Sequence, residues 1–397
     1  MKVLMCGWEF PPFNSGGLGT ACYGLTKALA SNGAQVTLVL PKAHAGVSAD
    51  FVKILAAELG INEVDSLLRP YLTSAAYSRL KTQEQGIYGS TLFEEVRRYS
   101  DAAWLAAMKE DFDVIHSHDW MTMGAAFRAR EATGKPWVAH IHATEFDRTG
   151  GHPNQYVYEI ERRGMQGADH VIAVSEFTKN MIVAHYGIGP DKITVVHNAV
   201  DFAPKQPELE MSKLKENDRI VLFLGRITLQ KGPDYFVYAA RKVLEHEKNV
   251  KFVVAGSGDM EPMIIRKAAE LGIAEHVLFA GFLRGPDVDR AYKMADVYVM
   301  PSVSEPFGIT PLEAMRNNTP VIISKQSGVS EVISHCLKVD FWDVNEIANK
   351  IISVLRYKEL KDELRANASR EVLKFDWNVP AKKVIDVYSR LLVKVKA

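Results

Sequence analysis

Arg219-Ile220-Val221-Leu222-Phe223-Leu224-Gly225-Arg226-Ile227-Thr228-Leu229-Gln230-Lys231-Gly232 is the stretch from which the architecture can be read. Ile220–Leu224 is a continuous apolar run with little alternation. A strand with one wet face alternates, whereas a run like this reads as a strand covered on both faces, as in a parallel sheet. A helical pattern follows over Asp234–His246. The same unit then repeats. Strands are expected at Lys251–Ala255, His276–Ala280, Asp296–Met300 and Val321–Ile323, and helices at Met260–Leu271, Asp287–Ala295 and Pro311–Asn317.

The residues before this stretch show a second series of the same kind. Strands are expected at Val3–Cys6, Val36–Leu40, Asp113–His118, Trp137–His142, His170–Ser175 and Ile193–His197. Helices are expected at Ala21–Ser31, with Gly33 as its stop, and at Thr91–Lys109 and Glu176–His185. Asp201–Asp218, charged and with two prolines, reads as the linker. Two βαβ series argue for two doubly wound α/β domains. Residues 42–89 fit this scheme least, with one strand expected near 67–72 and a loop around 81–90. Val379–Lys396 carries apolar residues on one helical face, which we expect to pack on the protein's own surface rather than on a membrane.

Composition narrows the function classes. The 397 residues hold 48 basic and 48 acidic side chains, so there is no cationic excess of the kind a nucleic-acid binder shows. Cys6, Cys22 and Cys336 lack metal spacing and cannot all pair within the chain, which suits a reducing compartment. No apolar stretch is long enough to span a bilayer, and we expect a cytoplasmic protein.

In open parallel sheets ligands bind beyond the carboxyl ends of the strands. Glu9, His118, Asp119, His142 and Asn198 fall there in the first half; Gly225, Arg226, Gly256 and Ser302–Glu305 fall there in the second. The loop Gly16-Gly17-Leu18-Gly19 could bring backbone amides to an anion or could be a tight turn. Its spacing is not that of the dinucleotide fingerprint, which argues against an oxidoreductase. Arg226 and Lys231 make a suitable pair for a diphosphate, one a planar fork and the other a mobile charge. In Ser304-Glu305-Pro306-Phe307-Gly308-Ile309-Thr310-Pro311-Leu312-Glu313, Thr310 suits an N-cap and Glu313 would complete a capping box. The functional reading makes the Phe307–Thr310 amides a phosphate cradle and puts Glu313 on sugar hydroxyls, and both readings can hold in part. Capping does not account for Glu305. Of His140 and His142 we expect at most one to face the site. His116, His118, Asp119 and His142 do not assemble into a metal set by spacing, and we expect no metal and no cofactor.

Together these segments resemble the retaining glycosyltransferases of the GT-B fold, the glycosyl transferases group 1 family. The resemblance rests on Glu305-x7-Glu313, Gly225-Arg226 with Lys231-Gly232, the Gly16-Gly17 loop, Ser175-Glu176-Phe177, His197-Asn198-Ala199-Val200-Asp201 and Phe375-Asp376-Trp377. It implies two Rossmann-like domains facing across a cleft: residues 1–200 on the acceptor side, residues 201–377 holding a nucleotide sugar, and a C-terminal helix, 378–397, returning to the first domain. It further implies that Arg226 and Lys231 bind the donor diphosphate, Glu313 the ribose and Glu305 the transferred sugar. Gly16, Gly17, Phe307, Gly308, Ile309, Thr310 and Gly256 would line the donor, and His142 would lie beside the reacting carbon. Glu9, Asp119 and Asn198 would serve the acceptor or sugar side. The implied chemistry is metal-independent transfer with retention of configuration.

Trp8-Glu9-Phe10-Pro11-Pro12, His118-Asp119-Trp120 and His142-Ala143-Thr144-Glu145-Phe146-Asp147-Arg148 resemble the glycogen/starch-synthase branch. Bacterial synthases of this type carry Lys two residues before the first loop glycine, where this chain has Asn14. The donor is therefore open between UDP- and ADP-glucose. A glucan is one acceptor to consider; a small molecule, a lipid-linked acceptor, or a 2-epimerase or hydrolase activity on the same fold are alternatives. The mixed charge of Thr91–Lys109 argues against membrane docking, and no nucleic-acid partner is expected.

Overall fold

A computed structural model of the chain describes residues 1–11, 16–41, 49–57, 91–202 and 218–396. The strand expected near 67–72, the loop expected at 81–90, Asn14 and most of the 201–218 linker lie outside the described residues. The chain divides into two compact units, Met1–Ala199 with Trp377–Ala397, and Val200–Asp376.

In the first unit β1 (Lys2–Cys6), β2 (Gln35–Leu40), β3 (Lys53–Ala56), β4 (Val114–His118), β5 (Trp137–Ile141), β6 (His170–Ala173) and β7 (Ile193–Val195) form one parallel sheet in the order β3-β2-β1-β4-β5-β6-β7. Every residue of β4 and β5 is buried, which is why these strands read as unbroken apolar runs apart from their histidines. β3 escaped the sequence reading because it is a short edge strand, largely half-buried, with no strong pattern. The helix Gly17–Ser31 starts four residues before the expected Ala21, so Gly17 and Gly19 are helical. Gly24 within it is explained by packing. A Cβ there would lie 2.3 Å from the Trp377 ring, just before the C-terminal helix Asn378–Lys396. That helix buries Ala381, Val384, Val387 and Tyr388 within the first unit.

The second unit repeats the plan. β8 (Arg219–Leu224), β9 (Val250–Ala255), β10 (Val277–Gly281), β11 (Val297–Met300), β12 (Val321–Ser324) and β13 (Leu337–Val339) lie parallel in the order β10-β9-β8-β11-β12-β13. Phe236, Val237, Val243, Phe252, Ile322 and Ile351 fill its core. Helices Trp120–Thr133, Glu145–Thr149, Gln155–Gly167, Val344–Arg356 and Lys358–Glu371 complete the two units and were not anticipated. The strand order reverses between β1 and β4 in one sheet and between β8 and β11 in the other. Each reversal splays the flanking loops and opens a crevice beyond the carboxyl ends of those strands.

Candidate functional site

In the second unit, the loops from the two strands at the reversal carry the residues singled out from the sequence. β8 runs into Gly225-Arg226. Half-buried, Arg226 donates to the Gln230 side chain at 2.9 Å, and the Gln230 carbonyl accepts from the Val303 amide at 2.9 Å. The β8 and β11 loops are thereby stitched together. Gly232, at φ +62, ends the short turn Leu229–Lys231 and fits under the Pro301 carbonyl, where a Cβ would approach to 2.2 Å.

Lys231 reaches across and forms an ion pair with Glu305. The Ser302 hydroxyl donates to the same carboxylate at 3.1 Å. Glu305 is also held through its backbone: its amide donates to Gln326 at 3.0 Å and its carbonyl accepts from Gly328 at 2.9 Å. A carboxylate only 6% exposed is thus fixed by side chain and main chain together. Burying such a charge is costly unless it is paired and hydrogen-bonded, as here.

The helix Thr310–Arg316 corrects one expectation. Ile309 is its cap residue and supplies no side-chain cap, so there is no Thr310–Glu313 capping box. The Thr310 hydroxyl accepts instead from Tyr298 at 2.8 Å, and the Glu313 carboxylate accepts from Tyr292 at 3.2 Å. Glu313 is released from capping because the helix starts one residue earlier than read. Burial raises its carboxyl pKa above the ordinary carboxylate value, with the Arg316 charge opposing. Phe307 is buried and its carbonyl accepts from Val329 at 2.7 Å; Gly308 turns at φ +98 beside it. Gly256 sits against the β8 end so closely that a Cβ would fall 1.8 Å from the Gly225 carbonyl oxygen.

In the first unit the reversal lies between β1 and β4. Glu9 beyond β1, Asp119 beyond β4 and Asn198 beyond β7 are all buried. Gly16 is extended at φ −172, and a Cβ on Gly17 would meet nothing within 4 Å, so packing among the described residues does not demand glycine at position 17. Asp119 has φ +56, a conformation unusual for a residue with a Cβ, and such strain concentrates at functional sites. Its carboxylate does not cap the following helix. It accepts from the His142 amide at 2.6 Å, tying the end of β4 to the end of β5.

His140, near the end of β5, and His142, just beyond it, lie on the same face. Residues two apart on a strand share a face, and the His140 and His142 rings stack with centroids 4.3 Å apart. His116 and His118 join them from β4. Burial lowers the pKa of all four, to about 3 for His116 and His142, so the cluster is neutral at neutral pH. His142 can therefore offer hydrogen bonds but not a positive charge. The sequence reading missed Gln230, Tyr292, Tyr298 and Tyr388, because their roles depend on contacts between distant segments.

Comparison with known proteins agrees with this geometry. Residues 205–371 match the Glycosyl transferases group 1 family, and residues 15–203 match Glycosyltransferase Family 4. An uncharacterized glycosyltransferase of Methanocaldococcus jannaschii is 31% identical, with 98% of each chain covered. Glycogen synthase of Mycobacterium tuberculosis is 27% identical over 98% of this chain and 94% of its own. Among solved structures, sucrose-phosphate synthase of Thermosynechococcus elongatus superposes with TM-score 0.78 at 20% identity, covering 99% of both chains. HepE of Anabaena, determined with UDP-glucose, gives 0.72 at 18% identity, covering 98% of this chain and 100% of its own. These structures share the fold, two doubly wound parallel-sheet domains of the GT-B type. The chain belongs to the group 1 family of glycosyltransferases.

Proposed function

We propose that this glycosyltransferase moves a hexosyl unit, glucose in the first instance, from UDP- or ADP-glucose to a hydroxyl of a carbohydrate acceptor, with an α-glucan as the acceptor to try first. The observation that carries the reading is the Lys231–Glu305 pair beside Arg226 at the strand reversal of the second unit. Two cations at one crevice suit a diphosphate, and they stabilise the charge that develops as the nucleotide leaves. Glu305, held by Lys231 and Ser302, is ready to take sugar hydroxyls, and Glu313 to take the ribose. Gly16 and Gly17 admit close backbone approach to the donor, and the loop Phe307-Gly308-Ile309-Thr310 and Gly256 shape its other side. Glu9, Asp119 and Asn198 serve the acceptor or sugar side, with a neutral His142 hydrogen-bonding the sugar near its reacting carbon. HepE was determined with UDP-glucose, which supports a glucosyl donor, and the glycogen synthase relative supports a glucan acceptor.

The two cations do the work a metal would otherwise do at the diphosphate, so transfer itself proceeds without one. No buried side chain emerges as a covalent nucleophile among the proposed site residues. The leaving phosphate would take the acceptor proton on the face where the new bond forms, which retains the anomeric configuration. Among the described residues no helix is long and apolar enough to cross a membrane, and we propose that the enzyme acts in the cytoplasm.

The test is to incubate the purified chain with UDP-, ADP- and GDP-glucose, with glycogen or maltooligosaccharides, with and without EDTA. Nucleotide release that depends on acceptor, survives EDTA and yields an α-linked product by proton NMR is the expected result. Failure to bind or turn over any of these donors sinks the proposal. Epimerised donor without acceptor would replace transfer by 2-epimerisation.

A further inference from the structure

The four-histidine cluster contains more than the proposed transfer uses. His116, His118 and His140 lie on one face of the first sheet, and each is at most 2% exposed. One ring nitrogen from each can be chosen so that all three lie within 4.8 Å of one another. Their hydrogen bonds are specific. His116 Nδ1 is 2.5 Å from the Tyr388 hydroxyl, His116 Nε2 is 3.2 Å from His140 Nδ1, and His118 Nδ1 is 2.8 Å from His142 Nε2. This leaves Nε2 of His118 and Nε2 of His140 buried without a hydrogen-bond partner among the described residues.

A buried polar atom left unsatisfied carries a desolvation cost that folded proteins generally avoid. Two such atoms in one cluster indicate that something takes them. When His118 donates from Nδ1 to His142, and His140 donates from Nδ1 to His116, both orphaned Nε2 atoms carry lone pairs. That is the form of imidazole that binds a metal. We propose that His116, His118 and His140 form a binding site for a late first-row transition-metal ion of the zinc type, separate from the transfer chemistry.

Three neutral imidazoles and one open position are a donor set that zinc accepts, at nitrogen distances of about 2.0–2.1 Å. Imidazole also suits cobalt, nickel and copper, and excludes the hard cations that prefer oxygen. Binding an ion requires the three nitrogens, now within 4.8 Å of one another, to draw closer, with His116 Nε2 giving up its contact to His140. A metal-bound histidine is oriented by whatever holds its other nitrogen. Here Tyr388 does this for His116 and His142 for His118. Tyr388 belongs to the C-terminal helix, so an ion at this place would steady that helix on β4.

The test uses the full-length chain, stripped with chelator and then equilibrated with Zn2+ or Co2+. We expect one ion retained per chain. The Co2+ form should show visible d–d absorption and paramagnetically shifted imidazole N–H resonances from three histidines. Tyr388→Phe should weaken binding about 10–100-fold, the usual effect of losing such an outer partner, and His118→Ala by at least as much. Folded wild-type protein that retains no ion overturns the proposal, and so does a Co2+ form without shifted histidine resonances. Both readings need no variant, so a misfolded substitution does not shield the idea. Metal retention is read independently of donor turnover, so its failure leaves the transferase proposal standing.

Discussion

Lys231 and Glu305, seventy-four residues apart in sequence, form an ion pair between the loops that follow β8 and β11. Glu305 is nearly buried and Lys231 is partly exposed. The lysine is thus paired with Glu305 while part of its side chain stays exposed. An incoming diphosphate can share its ammonium without leaving the glutamate unpaired.

Lys231→Ala should lower kcat about 10²–10³-fold, the usual cost of removing one donor to developing negative charge. It should also destabilise the unit, because the buried Glu305 carboxylate loses its partner. Single-turnover rates with saturating donor and urea unfolding curves separate the two effects. Unchanged turnover would remove Lys231 from the mechanism.

Glu313→Gln should raise the KM for donor about tenfold while leaving kcat within a few-fold, as expected when a hydrogen bond that serves binding rather than the transition state is lost. Its pH signature is distinct. The folded carboxyl pKa lies above the unfolded one. The stabilising contribution of the protonated form is then fully present below the unfolded pKa, and it is lost as pH rises through the folded pKa. Without donor, Glu313→Gln should therefore be more stable than wild type at neutral pH, and the advantage should vanish below about pH 4. Melting temperatures across that range decide it; an advantage that grows toward acid contradicts the assignment.

Asp119→Ala should cost about 2 kcal/mol, since the carboxylate's charge-assisted bond to the His142 amide is lost. Asp119→Asn keeps an acceptor in place and should cost about half as much. Asp119→Gly removes the same bond but relaxes the backbone at φ +56, so it should fall between them. Chemical denaturation of the three variants gives the order, and equal losses would rule out this division between bond and strain.

Gly256→Ala should damage the donor half without touching a charge. A Cβ would collide with the Gly225 carbonyl, which cannot yield without moving the end of β8 and Arg226 with it. We expect a loss of about 1–3 kcal/mol of stability, typical of overpacking, together with weaker donor binding by calorimetry. Wild-type donor affinity would show that the β8 end can give way.

Much of this protein is written in local sequence. Continuous apolar runs such as Ile220–Leu224 read as strands covered on both faces, and their alternation with helical patterns pointed to two doubly wound parallel sheets. Strand ends also determined which polar residues to consider, because the carboxyl end of a parallel strand is legible wherever its apolar run stops. Tertiary structure decided what local pattern could not. Edge strands β3 and β13 lack a buried signal of their own and exist because a neighbour pairs with them. Glu313 could be read as a cap, as a binding group or in part as both until the helix start at Thr310 and the Tyr292 hydroxyl removed the first reading. His116, His118, His140 and His142 could not be recognised as one cluster from spacing, since it is the pairing of β4 with β5 that brings their rings together. The division has one physical cause. Periodicity and burial are properties of a segment, whereas charge pairing and ring clustering depend on which segments the sheet order makes neighbours.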